Sequence, residues 1–441
     1  MCRSDRRSNS KWLSAIALAG CLLLWTSSAE AQVPPASSST AVTGTTDWDQ
    51  WKHNCSLLSD FAKKFIPCAT STFTSEPFHF LVQSIVPGSG VGGGGRYSHD
   101  FNETGGAQDQ LQATGVITIR EFWYAELKFS SQRAIVADWN TSGESLGLNI
   151  YARNRSLPTL PFYGLGPDTN VNTPVDFNER ETSAGIEVTT PFPEVSWLSA
   201  GGKIEGLWPN VGGVSIQQKY TEQTAPGLAT QPPFVHEQIS LSPHKRFLSR
   251  FELNYNIAYN LYQDASTGHY SFRRFEAKVE HRFYPEKRKH GGVIEQNYFS
   301  VLWRYSVANA SAGNVVPFYL QETIGGSDID NQNSLPAFKD YRFRGPDLLT
   351  VEAQYNRKVC VSCEPCKEGL IRTVCSHLGL VLGYDAGQVA LNRSGFDFAK
   401  MRQSYDSGIS IYLGKDVIFR VAVGFGGGEG SHPYFNVANF L

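Results

Sequence analysis

Residues 251–261, FELNYNIAYNL, alternate apolar and polar side chains without interruption. Phe251, Leu253 and Tyr255 occupy odd positions, and Glu252 and Asn254 occupy the positions between them. A period of two residues places the two sets on opposite faces of an extended strand. The segment is therefore predicted to be a β-strand with one apolar face and one polar face.

The same alternation recurs in residues 274–283, 299–307, 349–355, 378–384 and 417–425. We count about sixteen strands between Val91 and Leu441, and residues 109–132 form either one long strand or a hairpin. A soluble β-sandwich would also alternate, but these runs have the ~10 residues that cross a bilayer at a tilt. Lipid offers no partner to an open sheet edge, so the sheet must close. The predicted fold is all-β: a transmembrane antiparallel β-barrel of about 16 strands with a short N-terminal helix.

The composition agrees with this class and excludes others. The formal net charge of −2 provides no basic surface for nucleic acid. The 27 Phe, 19 Tyr and 9 Trp suit aromatic girdles, and the 41 Gly suit turns. Because the sequence shows no nucleophile elbow, metal-binding His pair or Ser/His/Asp set, we expect no enzymatic activity and no cofactor. The expected partner is outer-membrane lipid.

Residues 1–31 have the layout of a signal peptide, which predicts export and Gln32 as the mature N-terminus. Lipoprotein processing at Cys21 is the alternative. Residues 32–75 are predicted to be a periplasmic leader with one amphipathic helix, and Cys55 and Cys68 are expected to form a disulfide there. This segment is either a small periplasmic cap or a plug for the barrel, which is expected to span residues 76–441.

Four further cysteines, Cys360, Cys363, Cys366 and Cys375, have a spacing that suits either two disulfides or a metal. Their predicted place in a turn of an exported barrel favours disulfides. The glycines in residues 88–93, GSGVGG, match a dinucleotide-binding spacing. That motif needs a helix to follow it, and the sequence predicts only more strand.

Several strings resemble the bacterial surface-antigen superfamily, the BamA/TamA outer-membrane assembly factors. They are FYGLGPD (162–168), ETIGG (322–326), DYRFRG (340–345), GYDAG (383–387), GGGEG (426–430) and the terminal residues 434–441. The resemblance covers residues 75–441. It implies a sixteen-stranded outer-membrane barrel with a weak seam between its first and last strands, and a long loop folded back into the lumen.

Two sets of residues gain roles from this resemblance. The glycine-rich strand with Gly92, Gly93, Gly94 and Gly95 pairs weakly because it has few side chains to pack, which suits a first strand at the seam. The second set concerns the lumen loop. The family's loop tip carries Val/Leu-Arg-Gly-Phe/Tyr, and its Arg docks on the inner wall. Here the tip ends in Phe338 and has Pro and Ala in place of Arg and Gly. The replacement candidates are Arg342 and Arg344, which we expect to pair with an inward-facing Asp385.

The family's assembly factors also carry periplasmic POTRA modules ahead of the barrel, and the segment after Gln32 is too short for one. A POTRA-less member is therefore expected. The function implied is the insertion, assembly or translocation of proteins at the outer membrane, with unfolded outer-membrane proteins as clients. The alternatives are a passive pore or structural barrel and, third, an outer-membrane enzyme.

Overall fold

The computed structural model describes residues 77–86, 88–101, 107–134, 145–192, 195–247, 250–285, 297–326, 334–359, 377–413 and 416–437. Several predictions lie outside these residues. They concern the signal peptide, the N-terminal helix, Cys21, the Cys55–Cys68 disulfide and the four cysteines between Cys360 and Cys375.

The described residues contain eighteen strands. In chain order they are β1 (Phe78–Gln83), β2 (Gly92–Asp100), β3 (Ala107–Thr118), β4 (Trp123–Ala134), β5 (Ser145–Phe162), β6 (Val175–Phe192), β7 (Val195–Gly212), β8 (Phe234–Phe247), β9 (Phe251–Asp264), β10 (Phe272–Phe283), β11 (Tyr298–Ala310), β12 (Glu322–Ile324), β13 (Phe343–Gly345), β14 (Asp347–Lys358), β15 (Leu378–Ala390), β16 (Arg402–Leu413), β17 (Asp416–Phe425) and β18 (His432–Val437). A short helix, α1 (Val214–Lys219), and three 3-10 helices, Phe318–Leu320, Arg393–Gly395 and Phe398–Lys400, occur in connections.

Sixteen of these strands form one antiparallel sheet in which each strand pairs with the next along the chain, and β12 and β13 form a separate small sheet. Because every neighbour is antiparallel, successive connections fall at alternate ends of the sheet. Residues 163–174, 213–233, 311–346 and 426–431 therefore share one end, which we call the loop end. We call residues 311–346, which contain β12 and β13, the lumen loop.

The burial pattern is inverted relative to a soluble protein. Polar side chains are buried on one face, and large apolar side chains are exposed on the other. The buried set includes Ser183, Glu205, His236, Asn260, Arg274, Arg304, Asp385 and Ser404, and the exposed set includes Ile117, Leu127, Ile150, Ile186, Ile239, Leu382, Ile409 and Val421. This arrangement is that of a barrel in lipid, with polar groups on the inner face. The predicted fold class is confirmed.

Strands β5, β6 and β7 have 18 residues each, whereas a tilted bilayer crossing needs about 10. Their excess length lies at the loop end, where Leu160, Phe162, Phe177 and Val211 belong to one buried apolar cluster. The other members come from the connections and neighbouring strands: Val86, Phe122, Leu157, Leu207, Ile216, Ala225, Leu228, Phe234, Tyr270, Phe318, Tyr319 and Tyr341. We call this cluster the apolar cap.

One prediction about the first strands needs correction. The sheet begins at Phe78, so the glycine-rich strand is β2 rather than the first strand. Gly92 to Gly95 pair with β1 on one side and with β3 on the other, and they do not lie at a free edge. Close packing explains Gly92 and Gly94, where a Cβ would overlap the carbonyl oxygens of Ile117 and Gly115, but not Gly93, where a Cβ would meet no atom within 4 Å. The region 109–132 is a hairpin, with its turn at Glu121, whose φ is 66°.

Candidate functional site: the lumen loop and the strand seam

The two ends of the strand order are the first feature of the site. Strand β1 pairs with β2 and strand β18 pairs with β17, and these two strands are the ends of the strand order within the described residues. Each of these edge strands has six described residues, and β18 includes Pro433, which has no N–H to donate. The seam that the sequence predicted between the first and last strands therefore corresponds to two short strands in the part of the chain that is described.

The small sheet of the lumen loop lies against the inner face of the wall. Strands β12 and β13 contact β15, and β12 also contacts β14. Ile324, Phe343, Leu348 and Val389 are buried together there, in a cluster that includes the loop tip. These apolar contacts hold the lumen loop against the inner face of the sheet, as the family resemblance implied.

The loop tip docks through apolar and backbone contacts. Leu335, Ala337 and Phe338 are buried, and the Ala337 N–H donates to the Ser404 Oγ at 2.8 Å. Two glycines near the end of β17 receive the tip. A Cβ on Gly424 would overlap the Pro336 carbonyl, and one on Gly427 would lie 2.7 Å from the Phe338 ring. The tip therefore needs no arginine to remain docked.

Arg342 joins three connections at the loop end. Its Nε donates to Glu429 Oε1 at 2.6 Å, in the β17–β18 connection. Its Nη1 donates to the Thr169 hydroxyl, and its Nη2 donates to the Thr169 carbonyl at 2.6 Å, both in the β5–β6 connection. The guanidinium also lies 5.0 Å from the centre of the Tyr163 ring. Burial raises the pKa of Tyr163 to about 12, so this hydroxyl stays neutral beside the cation. We call Arg342, Thr169 and Glu429 the loop clasp.

Arg344 is buried beside the apolar cap. Its Nη1 donates to the Phe318 carbonyl at 2.7 Å, and its own carbonyl accepts from the Gly166 N–H at 2.7 Å. The rings of Phe162 and Phe177 lie within 6.0 Å of the guanidinium. Burial lowers the pKa of Arg344 to about 10, and the charge of the nearby Glu179 partly opposes this shift. The residue links the lumen loop to strands on the opposite side of the site.

Asp385 does not form the predicted pair. It is buried on the inner face, as expected, opposite Glu352 on β14. The hydrogen bonds of Arg342 and Arg344 go instead to Glu429, Thr169 and the Phe318 carbonyl, so the predicted pairing with Asp385 is wrong. Although β13 contacts β15, the Arg342 side chain reaches the connections that carry Thr169 and Glu429, and the Arg344 side chain reaches the Phe318 carbonyl beside the apolar cap.

Sequence reasoning missed five residues of this site: Thr169, Ser404, Gly424, Gly427 and Glu429. Two strings that carried the family resemblance, FYGLGPD and GGGEG, adjoin or include Thr169, Gly427 and Glu429. Their composition gave no indication that they meet the lumen loop. Ser404 and Gly424 lie in ordinary alternating strands and carried no signal.

The apolar cap lies at the loop end. Phe318 is its centre, with ring centres 5.0 Å from Phe162, 5.2 Å from Phe177 and 5.6 Å from Tyr319. A polar cavity of about 490 Å³ adjoins the lumen-loop residues 319–323 and the inner faces of β4 to β11. In the described residues, apolar side chains therefore pack together at the loop end, and polar side chains line the cavity on the inner face.

The described ranges contain no helix that is long and apolar enough to cross a membrane. The same ranges hold no group of three or more His, Cys, Asp or Glu side chains arranged to bind a metal ion.

No protein-family model matches this sequence, and no curated protein is significantly similar to it. Solved structures do match. The crystal structure of BamA from Haemophilus ducreyi lacking POTRA domains 1–3 is 12% identical, with a TM-score of 0.52, and the match covers 82% of this chain and 68% of that one. The chain has the barrel fold of BamA. CdiB from Escherichia coli is 10% identical, with a TM-score of 0.51, and the match covers 83% of this chain and 63% of that one.

The predicted resemblance to BamA-type barrels is thereby confirmed for the fold. At 10–12% identity the likeness to BamA and CdiB concerns the fold alone. This chain also spans less than two thirds of the length of CdiB from Escherichia coli.

Proposed function

We propose that this protein is an outer-membrane barrel that inserts, assembles or translocates proteins by opening between β1 and β18. The observation that carries the proposal is that β1 and β18 end the strand order of the described residues, with six described residues each and Pro433 within β18. A short strand offers few backbone hydrogen bonds along its edge, and Pro433 can donate none. An incoming strand can add to such an edge by strand addition. Unfolded outer-membrane proteins are the proposed clients, and outer-membrane lipid is the proposed surrounding.

The geometry supports this function better than a passive pore. A pore needs a continuous water-filled path, whereas the apolar cap and the docked lumen loop occupy the loop end. The loop clasp also ties the β17–β18 connection to the lumen loop. Because this connection adjoins the last strand, movement of the lumen loop would also displace the start of β18 at the seam. We propose no catalytic role.

The test is the folding rate of a model outer-membrane protein into liposomes, with and without this barrel reconstituted in them. We expect acceleration by the parent protein and its loss when the seam is cross-linked in the variant Gln83→Cys/His432→Cys. Gln83 ends β1 and His432 begins β18, so both lie at the loop end.

The matched control is Ser240→Cys/Ala258→Cys, whose positions are register partners on β8 and β9, far along the strand order. Cross-linking this pair should leave the acceleration unchanged. The parent protein under the same oxidising conditions controls for its eight own cysteines. Steady ion conductance without acceleration would contradict the proposal and indicate a pore.

A further inference from the structure

Part of the outward face of the sheet is buried at the loop end. On β15, Leu382 faces outward and is 54% exposed. Gln388 lies on the same face of this strand, because the two positions are an even number of residues apart, yet it is only 4% exposed. Asp347 faces outward on the neighbouring β14 and is also buried. A segment of the chain must therefore cover the outer face at this place.

The connection between β15 and β16 provides this cover. We call its residues 391–401 the outer strap. The Gln388 Nε2 donates to the Gly395 carbonyl at 3.3 Å, and the Gln388 Oε1 accepts from the Asp397 N–H at 3.0 Å. Because Gln388 faces outward, these two hydrogen bonds hold the strap against the outer face of β15.

The outer strap also reaches β11, which is two positions from β15 in the strand order. The ring centre of Phe396 lies 6.2 Å from that of Tyr305 on β11. Tyr305 faces outward, since it alternates with the buried Arg304 and Ser306. Its ring also lies 6.3 Å from that of the exposed Phe275. The strap therefore lies on the side of the sheet that carries the exposed apolar side chains.

The exposed surface of the outer strap combines a large apolar side chain with charges. Phe398 is 75% exposed. Lys400 pairs with Asp397 at 3.5 Å, and both side chains remain exposed. An aromatic ring in water is unfavourable, and so is an ion pair in hydrocarbon. The boundary between headgroups and acyl chains accommodates both kinds of group, so this surface suits that layer of a bilayer.

We infer that the outer strap is an anchor in the membrane interface, which inserts Phe398 into phospholipid at the boundary between headgroups and acyl chains. The strap is continuous with the apolar outer face of β15 and β16, where Leu382 and Ile409 are exposed. This continuity is the reason that lipid is the proposed partner. The inference rests on the proposed outer-membrane setting, but it does not depend on the seam.

The test is site-specific photocrosslinking of the full-length protein in vesicles of phosphatidylethanolamine and phosphatidylglycerol. Each variant carries the photoreactive residue benzoylphenylalanine at one position, and mass spectrometry identifies adducts that contain one phospholipid. Phe398 is the test position, and Leu382 is the positive control. Val214 is the matched negative control: it too is an exposed apolar residue at the loop end, but its helix α1 packs Ile216 into the apolar cap.

Phospholipid adducts at positions 382 and 398, and their loss at position 214, are the expected result. Adducts at 382 without adducts at 398 would overturn the inference and leave the membrane setting intact. Equal adduct yields at 398 and 214, or a crosslink from 398 to a second copy of the chain in place of lipid, would also overturn it. Absence of adducts at 382 would contradict the membrane setting itself, and the anchor with it.

Discussion

Arg342 and Arg402 are two arginines at the loop end with very different surroundings. In the pair Arg342–Glu429 the side chains are only 5% and 11% exposed, whereas in Arg402–Asp168 they are 42% and 88% exposed. An exposed ion pair contributes little because water screens it, while a buried pair leaves an uncompensated charge when one partner is removed. The loop clasp should therefore contribute more to the free energy of unfolding than the exposed pair Arg402–Asp168 does.

We expect Arg342→Ala to lower the free energy of unfolding by about 2–4 kcal/mol, because Glu429 loses its cation and Thr169 two donors. The matched variant Arg402→Ala should cost less than about 1 kcal/mol. Urea unfolding in detergent, followed by tryptophan fluorescence, measures both. Equal losses for the two variants would show that the clasp is not a buried anchor.

The lumen loop is held by a matched surface on its neighbouring strands rather than by one ion pair. Its tip contacts Gly424 and Gly427, and its Ala337 N–H donates to the Ser404 Oγ. Overpacking such a contact costs stability because backbone atoms have to move. A single methyl group added at this contact should therefore lower the stability of the docked lumen loop.

Gly424→Ala is expected to destabilise the protein by about 1–3 kcal/mol and to expose the lumen loop, since the new Cβ overlaps the Pro336 carbonyl. Gly202→Ala on β7 is the control, because no atom lies within 4 Å of the added Cβ there. Limited proteolysis of the loop region gives the loop's release rate. If the lumen loop of Gly424→Ala were cleaved at the same rate as that of the parent protein, this would argue against docking of the loop tip at Gly424.

The connection between β14 and β15 holds four cysteines that we propose to be paired in two disulfides. Thiol titration of the denatured, unreduced protein should then leave Cys360, Cys363, Cys366 and Cys375 unmodified, with modification only after reduction. The physical reason for this expectation is that the periplasm, to which the protein is expected to be exported, is oxidising and favours disulfides. Peptide mapping that finds all four thiols reactive before reduction would exclude the disulfides.

For the whole molecule, the inverted burial pattern is the central property. Exposed Ile, Leu and Val side chains cover one face of the sheet, and buried charges cover the other.

The sequence by itself determined the strands, their two faces and the membrane class, because a period of two residues is a local property of extended backbone. The strings that resemble the surface-antigen superfamily also predicted a loop that folds into the lumen. Only the tertiary structure decided the partners of Arg342, which lie 87 and 173 residues away along the chain. It likewise decided that β1 begins at Phe78 and that side chains from β4 to β11 line a polar cavity. These features depend on which distant side chains meet when the sheet curves, and no local pattern encodes such meetings.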